Sequence, residues 1–396
     1  MAAGEEPAVS VRPRRGWALL LLTFVSLVVG CGRSGPPRNL TEVDPANVRW
    51  TEVLAGASDA QARHFAAILE ASDDPAYTRA RRLPYLYDAQ DQRTLLVPGW
   101  HMASGLSFSP DGNTLAFLAE PLWQPQLERY LVTVDLNANR QSYAFLRQKV
   151  TFTRTYWSAD SALVAAAGFR RGIGPDKGVL QHFVWVGDAK ANRLAWHSLP
   201  AGLQETSWCF GWRREGQTLL GLDLTRAKNH SARAPGVYLW SLDSQSDAPN
   251  FTPLAVGPVE TSFLFYDSQR FGDYIYIATG QSAGGPGLKM ALVDIANATV
   301  SPFPNARAWE GHWTASADGQ WVAMVDRGRS SALALYRRDG STRTFPLPAR
   351  SRGASAVAWA GPAPQEVTVA TGNTSQPLLV INVATGHQRP VLPATD

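Results

Sequence analysis

Cysteine is scarce in this sequence. Two cysteines in 396 residues, Cys31 and Cys209, cannot build the disulfide framework that staples small secreted folds. The chain carries no His-Glu-x-x-His pair, no phosphate loop and no dinucleotide glycine fingerprint, and no nucleophile elbow is read in it. Strong charge of one sign is lacking too: 37 basic residues face 33 acidic ones, a net of +4. That balance argues against nucleic acid as the partner. The longest apolar stretch, residues 17–29, falls short of the about 20 residues that a transmembrane helix needs. These absences lead to the expectation of a protein that binds and is not an enzyme, with no catalytic residue, no cofactor and no metal assigned.

Arg12, Arg14 and Arg15 precede the apolar run, the arrangement of an export signal. The run ends in Leu27-Val28-Val29-Gly30-Cys31, which resembles the lipobox of bacterial lipoproteins. The resemblance implies cleavage before Cys31 and lipid attachment at its thiol, the nucleophile that becomes the thioether. It also implies a lipid-anchored, periplasm-facing protein of the bacterial cell envelope, with Gly32 after the cysteine favouring the outer membrane over the inner. Residues 1–30 are therefore read as a signal peptide. Residues 31–45 are small, polar and proline-containing, and are read as the lipidated cysteine with a flexible tether. Cys209 then has no disulfide partner; it stands between Trp208 and Phe210 and reads as a buried, inert thiol.

The body of the chain, residues 46–396, alternates two kinds of hairpin. The first is clearest at residues 105–118, where alternating apolar residues enter the turn Ser109-Pro110-Asp111-Gly112 and leave as a second strand. Proline presets one turn dihedral, glycine accepts positive φ, and the aspartate side chain can bond the local backbone. Related turns occur near residues 156–165, 211–220 and 314–323, with looser ones at 265–276 and 357–368. The second kind of hairpin ends its leading strand at Asp88, Asp135, Asp188, Asp243, Asp294, Asp339 and Asn382, at intervals of about 43–55 residues, the length of one four-stranded propeller blade. Such a small sheet cannot bury both faces alone and must stack on its neighbours until a ring closes. The expected fold is all-β, a β-propeller of seven four-stranded blades. In the irregular first blade only residues 48–54 read as a leading strand. Residues 58–71 carry a serine cap and helix formers and predict a short helix near the N-terminus, which leaves a six-bladed ring with an N-terminal decoration as the alternative.

The Ser-Pro-Asp-Gly-x-x-Leu-Ala-Phe hairpin at residues 109–117 resembles the repeats of TolB-type, WD40-like β-propellers. The resemblance implies a periplasmic scaffold that docks an envelope protein through one face of its ring, and it brings no catalytic residues, since its Ser, Asp and Gly are turn residues. A protein or polymer partner in the envelope is therefore expected, beside membrane contact through the lipid. The alternative is an enzyme or cofactor-binding protein with its site in the axial funnel. His101 and His312 both precede a first-strand hairpin, which in a ring places them near the axis. Trp157, Trp212 and Trp359 fall near the first turns and are expected to pack blade against blade. The glycine-rich stretch 282–287 reads as an inter-strand loop.

Overall fold

Short apolar runs with period two, punctuated by Ser, Asp, Asn and Gly, make antiparallel strands. The computed structural model describes residues 37–44, 48, 53–59, 63–71, 81–122, 128–146, 150–171, 180–198, 208–212, 218–225, 236–243, 250–256, 264–271, 273–280, 289–307, 312–316, 318–325, 332–348, 357–360, 366–371, 376 and 378–391. Blade 1 holds β1 (Thr41–Val43), β2 (Val53–Ser58), β3 (His64–Ala71), β4 (Arg81–Asp88) and β5 (Arg93–Leu96). Blade 2 is β6 (Trp100–Phe108), β7 (Thr114–Pro121), β8 (Tyr130–Asp135) and β9 (Arg140–Phe145). Blade 3 is β10 (Thr151–Trp157), β11 (Leu163–Arg171), β12 (Leu180–Asp188) and β13 (Arg193–Ser198). Blade 4 is β14 (Trp208–Trp212), β15 (Thr218–Thr225), β16 (Gly236–Asp243) and β17 (Asn250–Pro253). Blade 5 is β18 (Ala255–Val256), β19 (Leu264–Phe271), β20 (Tyr274–Gly280), β21 (Lys289–Asp294) and β22 (Thr299–Arg307). Blade 6 is β23 (His312–Ala315), β24 (Trp321–Val325), β25 (Ala332–Arg337) and β26 (Thr342–Pro346). Blade 7 is β27 (Val357–Ala360), β28 (Glu366–Ala370), β29 (Leu378–Asn382) and β30 (Gln388–Pro390).

Within each blade four consecutive strands pair in order. The leading strands β2, β6, β10, β14, β19, β23 and β27 touch one another in a closed circuit, so they line the axis. The seven-bladed reading holds. One apolar cluster fills each gap between neighbouring blades, as where Leu115 and Phe117 of blade 2 meet Ala66, Ile68 and Leu86 of blade 1. The same strand β7 turns Ala116 and Leu118 to the other side, against Val164 and Ala166 of blade 3. Middle strands are thus buried on both faces, which is why they read as continuous apolar runs.

That double burial explains the error at residues 58–71. Ser58 ends β2 and residues 64–71 form β3, so the described residues of this stretch hold strand where a helix was expected. Phe65, Ala67 and Leu69 pack on Ala370 and Leu378 of blade 7, while Ala66 and Ile68 pack toward blade 2. A strand with two apolar faces and two adjacent alanines imitates helical composition. The described leading strand is Val53–Ser58, which meets the expected 48–54 at Val53 and Leu54; residues 49–52 lie outside the described residues.

Among the described residues the ring closes without strand exchange, blade 1 and blade 7 each containing only their own chain segments. Closure rests on side-chain packing between them. Two blades gain a fifth strand at the rim: β18 lies parallel to β22, and β1 lies antiparallel to β5.

The second addition corrects the extent of the flexible tether, since residues 37–44 are held in place. Asn39 forms an antiparallel bridge with Arg140 of blade 2, closed by Leu40 N–H to Asn139 O (3.2 Å) and Gln141 N–H to Arg38 O (2.8 Å). Gln141, 2% exposed, is the hub of this strap. Its Oε1 accepts from Trp100 Nε1 at 2.6 Å, and its Nε2 donates to Pro98 O at 3.1 Å and to Pro37 O. Cys31 and the signal region lie outside the described residues.

Candidate functional site

The alternation of strand directions separates the connections into two sets. First-to-second and third-to-fourth turns collect at one end of the ring, here the turn end; the other connections collect at the loop end. The turn end is capped by its own side chains. Ser109, Ser158 and Ser316 each donate Oγ–H to the aspartate two residues on and accept the N–H five residues on. Gly112 (φ 72°) and Gly319 (φ 75°) take the left-handed position there. The aspartates that mark the repeat have the same task one hairpin later. Asp188 Oδ1 accepts N–H from Lys190 and Asn192 at 2.9 Å, and Asn382 Oδ1 accepts from Ala384 and Thr385. These are Asx-type turns, so the most regular residues of the sequence are structural.

Blade 1 replaces the serine pattern with Asp59, which is fully buried. Its Oδ1 accepts the N–H groups of Arg63 (2.7 Å) and His64 (3.1 Å). Its Oδ2 meets Arg63 Nε at 3.3 Å and His64 Nδ1 at 3.2 Å. Burial opposes ionisation, but the hydrogen bonds and charge of His64 with the Arg63 N–H outweigh it and hold the carboxyl below its ordinary 3.8.

Inter-blade bonding accounts for two of the three tryptophans. Trp157 Nε1 donates to Ser107 O of blade 2 at 3.2 Å, and Trp212 Nε1 donates to Tyr156 O of blade 3 at 3.1 Å. Trp359 is 7% exposed and packs between blades 6 and 7. Tyr276 of blade 5 likewise donates to Ser316 O of blade 6 at 3.0 Å.

The loop end holds a polar group that the sequence did not signal. Arg129 leads into β8 and reaches the axial strand β6, donating Nη1–H to Met102 O at 2.6 Å. Met102 has φ 49°, and the register of β6 shifts between His101 and Ser104. Glu120 Oε1 lies 3.6 Å from Arg129 Nε, and Glu120 pairs in register with His101. Burial lowers the guanidinium pKa, Glu120 opposes that, and the charge of Arg82 adds to it. Arg129 thus interacts with both Glu120 and Arg82 at this end of the ring. His101 thus sits beside this cluster, near the axis as expected. His312 opens β23 in blade 6, and its side chain lies outside the described set, as does that of Cys209 in β14. Among the described residues no three His, Cys, Asp or Glu side chains gather as a metal site.

One pattern was overlooked. Gly280-Gln281-Ser282-Ala283-Gly284 satisfies the Gly-x-Ser-x-Gly spacing, so the reading that found no elbow motif is corrected. A nucleophile elbow turns a strand into a helix. This segment instead leaves β20 for β21, which pair antiparallel; residues 281–288 lie outside the described set.

Comparisons with family models and with curated proteins find no match. Solved structures do match. The β-propeller domain of the Trilobed protease from Pyrococcus furiosus, described as having an open velcro topology, aligns with TM-score 0.54 at 13% identity over 87% of this chain and 99% of that one. A Pyrococcus horikoshii acylaminoacyl peptidase aligns with TM-score 0.58 at 15% identity, covering 87% of this chain and 52% of that one. This chain therefore spans about half the length of that peptidase. An oligogalacturonate lyase solved with manganese aligns with TM-score 0.50 at 14% identity, over 89% of this chain and 95% of that one. The expectation of a chain that is not an enzyme, drawn from absent motifs, does not survive, because the same fold is carried by a protease, a peptidase and a lyase. At such identities the likeness is one of fold, and what it establishes is that the chain is a seven-bladed β-propeller.

Proposed function

We propose that this chain is a cell-envelope lipoprotein, anchored by lipid on Cys31 and facing the periplasm, whose TolB-type ring binds a protein or polymer partner through its loop end. The observation that carries the binding reading is the contrast between the two ends. Turns such as 109–113 and 189–192 are consumed by their own capping bonds. The strand ends joined by residues 122–129, 226–235 and 349–356 lie at the other end, and variation in such connections leaves blades intact. The lipobox resemblance supports the anchor and, with Gly32, the outer membrane. Capture of the lipidated protein from detergent-solubilised envelopes, beside Cys31→Ser, tests both parts when the N-terminus is read by mass spectrometry. A triacylated Cys31 with a stoichiometric partner supports the proposal; an unmodified N-terminus and no partner refute it.

The second reading is an enzyme or cofactor protein working at the axial mouth, favoured by the fold shared with peptidases and a lyase and by the Arg129 cluster. Turnover of peptide or acidic oligosaccharide substrates that falls in Arg129→Ala while the fold is kept would establish it. Turnover unchanged by that substitution would remove the cluster from the reaction.

A further inference from the structure

Among the described residues four large apolar side chains are exposed: Leu122, Tyr143, Phe145 and Leu194. Tyr143 (36% exposed) and Phe145 (43%) stand two residues apart on β9, the outermost strand of blade 2. They share a face with Gln141, because side chains alternate along a strand. They also continue a chain of rings that starts in the interior. Buried Trp100 lies 5.4 Å from Tyr143 and 5.5 Å from Tyr130, and Tyr130 lies 5.5 Å from Phe145. Leu122 N–H donates to the carbonyl of Gly99, the residue before Trp100, at 2.9 Å.

The strap decides what this surface meets. Its bridge to β9 is antiparallel, Asn39 against Arg140. Read back from Leu40 to Pro37, the strap runs in the direction of β9, toward Tyr143 and Phe145. Six positions separate Cys31 from Pro37, a length of at most about 20 Å of fully extended chain. Arg38 and Arg140, both exposed, flank the exit with positive charge.

Resting on the lipoprotein reading, we propose that the rim formed by β9, with Tyr143 and Phe145 at its centre, is the face that lies on the bilayer. The aromatic rings sit at headgroup depth, as amphipathic aromatics do at membrane interfaces, and Arg38 and Arg140 meet lipid phosphates. The anchor then fixes an orientation as well as a distance. The ring lies edge-on, with blade 2 against the membrane and both ends of the axis open to the periplasm.

The test uses the full lipidated protein in vesicles of phosphatidylethanolamine and phosphatidylglycerol, with Cys209→Ser as background. An environment-sensitive fluorophore is placed at Phe145→Cys, or at Ser341→Cys in a distant turn as control. The expected result is a blue-shifted emission quenched severalfold by shallow spin-labelled lipid at position 145, with no quenching at 341. Equal signals from the two sites in vesicle-bound protein overturn the rim proposal and leave the anchor standing. Protein that does not co-sediment with vesicles overturns the anchor, and the rim proposal with it. A blue shift at 145 that rises with protein concentration in the absence of vesicles assigns the rim to a second copy and also overturns the proposal.

Discussion

Replacing Gln141 with Leu tests whether the strap is part of the fold or an ornament on it. The side chain is almost fully buried, and Leu matches its bulk without its polar atoms. The substitution removes three hydrogen bonds, one from Trp100 Nε1 and two to the carbonyls of Pro98 and Pro37. Each such bond contributes about 1 kcal/mol, with up to about 3 when a buried group loses its partner, so a loss of about 2–5 kcal/mol is expected. At about 2–4 °C per kcal/mol or somewhat less for a chain of this size, the melting temperature falls by roughly 5–15 °C. The loss is also local. The bridge at Asn39 loses its neighbour, so limited proteolysis cuts near residues 37–44 before the ring unfolds. Gln141→Glu keeps the acceptor for Trp100 but not the donor for the two carbonyls, and is expected to be intermediate or worse if it buries charge. A melting temperature within about 1 °C of wild type for Gln141→Leu, with the strap equally resistant to protease, would refute the reasoning.

Backbone strain gives a paired test at the turn end. Gly319→Ala places a Cβ at φ 75° and 2.6 Å from the Tyr274 ring and should cost about 1–3 kcal/mol. Ser161, which holds the equivalent left-handed position with φ 61°, should gain up to about 1 kcal/mol as Gly by denaturant titration. Trp212→Phe and Tyr276→Phe each remove one bond between different blades and should cost about 0.5–1.5 kcal/mol apiece. The two costs should add in the double variant, because the sites share no partner. Asp59, Asp111 and Asp160 all have carboxyl pKa values below 3.8 in the folded protein. Below that value the unfolded chain binds protons that the folded chain does not. Stability is thus present in full above the ordinary carboxylate range and falls as pH drops through the lowered values. Acid denaturation followed by circular dichroism should be shallower in Asp59→Asn, and an unchanged slope would exclude Asp59 as a contributor.

The sequence was legible where residues act on their own neighbourhood. Ser109 and Gly112 bond within five residues, and Asp188 caps its own turn, so each announced its hairpin and their spacing announced the ring. It was illegible where partners are distant or where pattern and composition conflict. Gln141 and Pro37 are 104 positions apart, so nothing in residues 37–44 betrays that they are held. Strand β3 hides its period behind two buried faces. Arg129 joins the axial mouth through a carbonyl made available by the left-handed turn at Met102, a backbone event with no sequence signature.

Every sheet in this ring is assembled from uninterrupted chain, and this sets an order of assembly. A chain emerging N-terminus first can complete each blade before the next one is made. The seam waits longest: Phe65, Ala67 and Leu69 remain bare until Ala370 and Leu378 arrive. Through that interval the first blade is a half-covered apolar face, and a chaperone that shields it need act only until the last blade emerges.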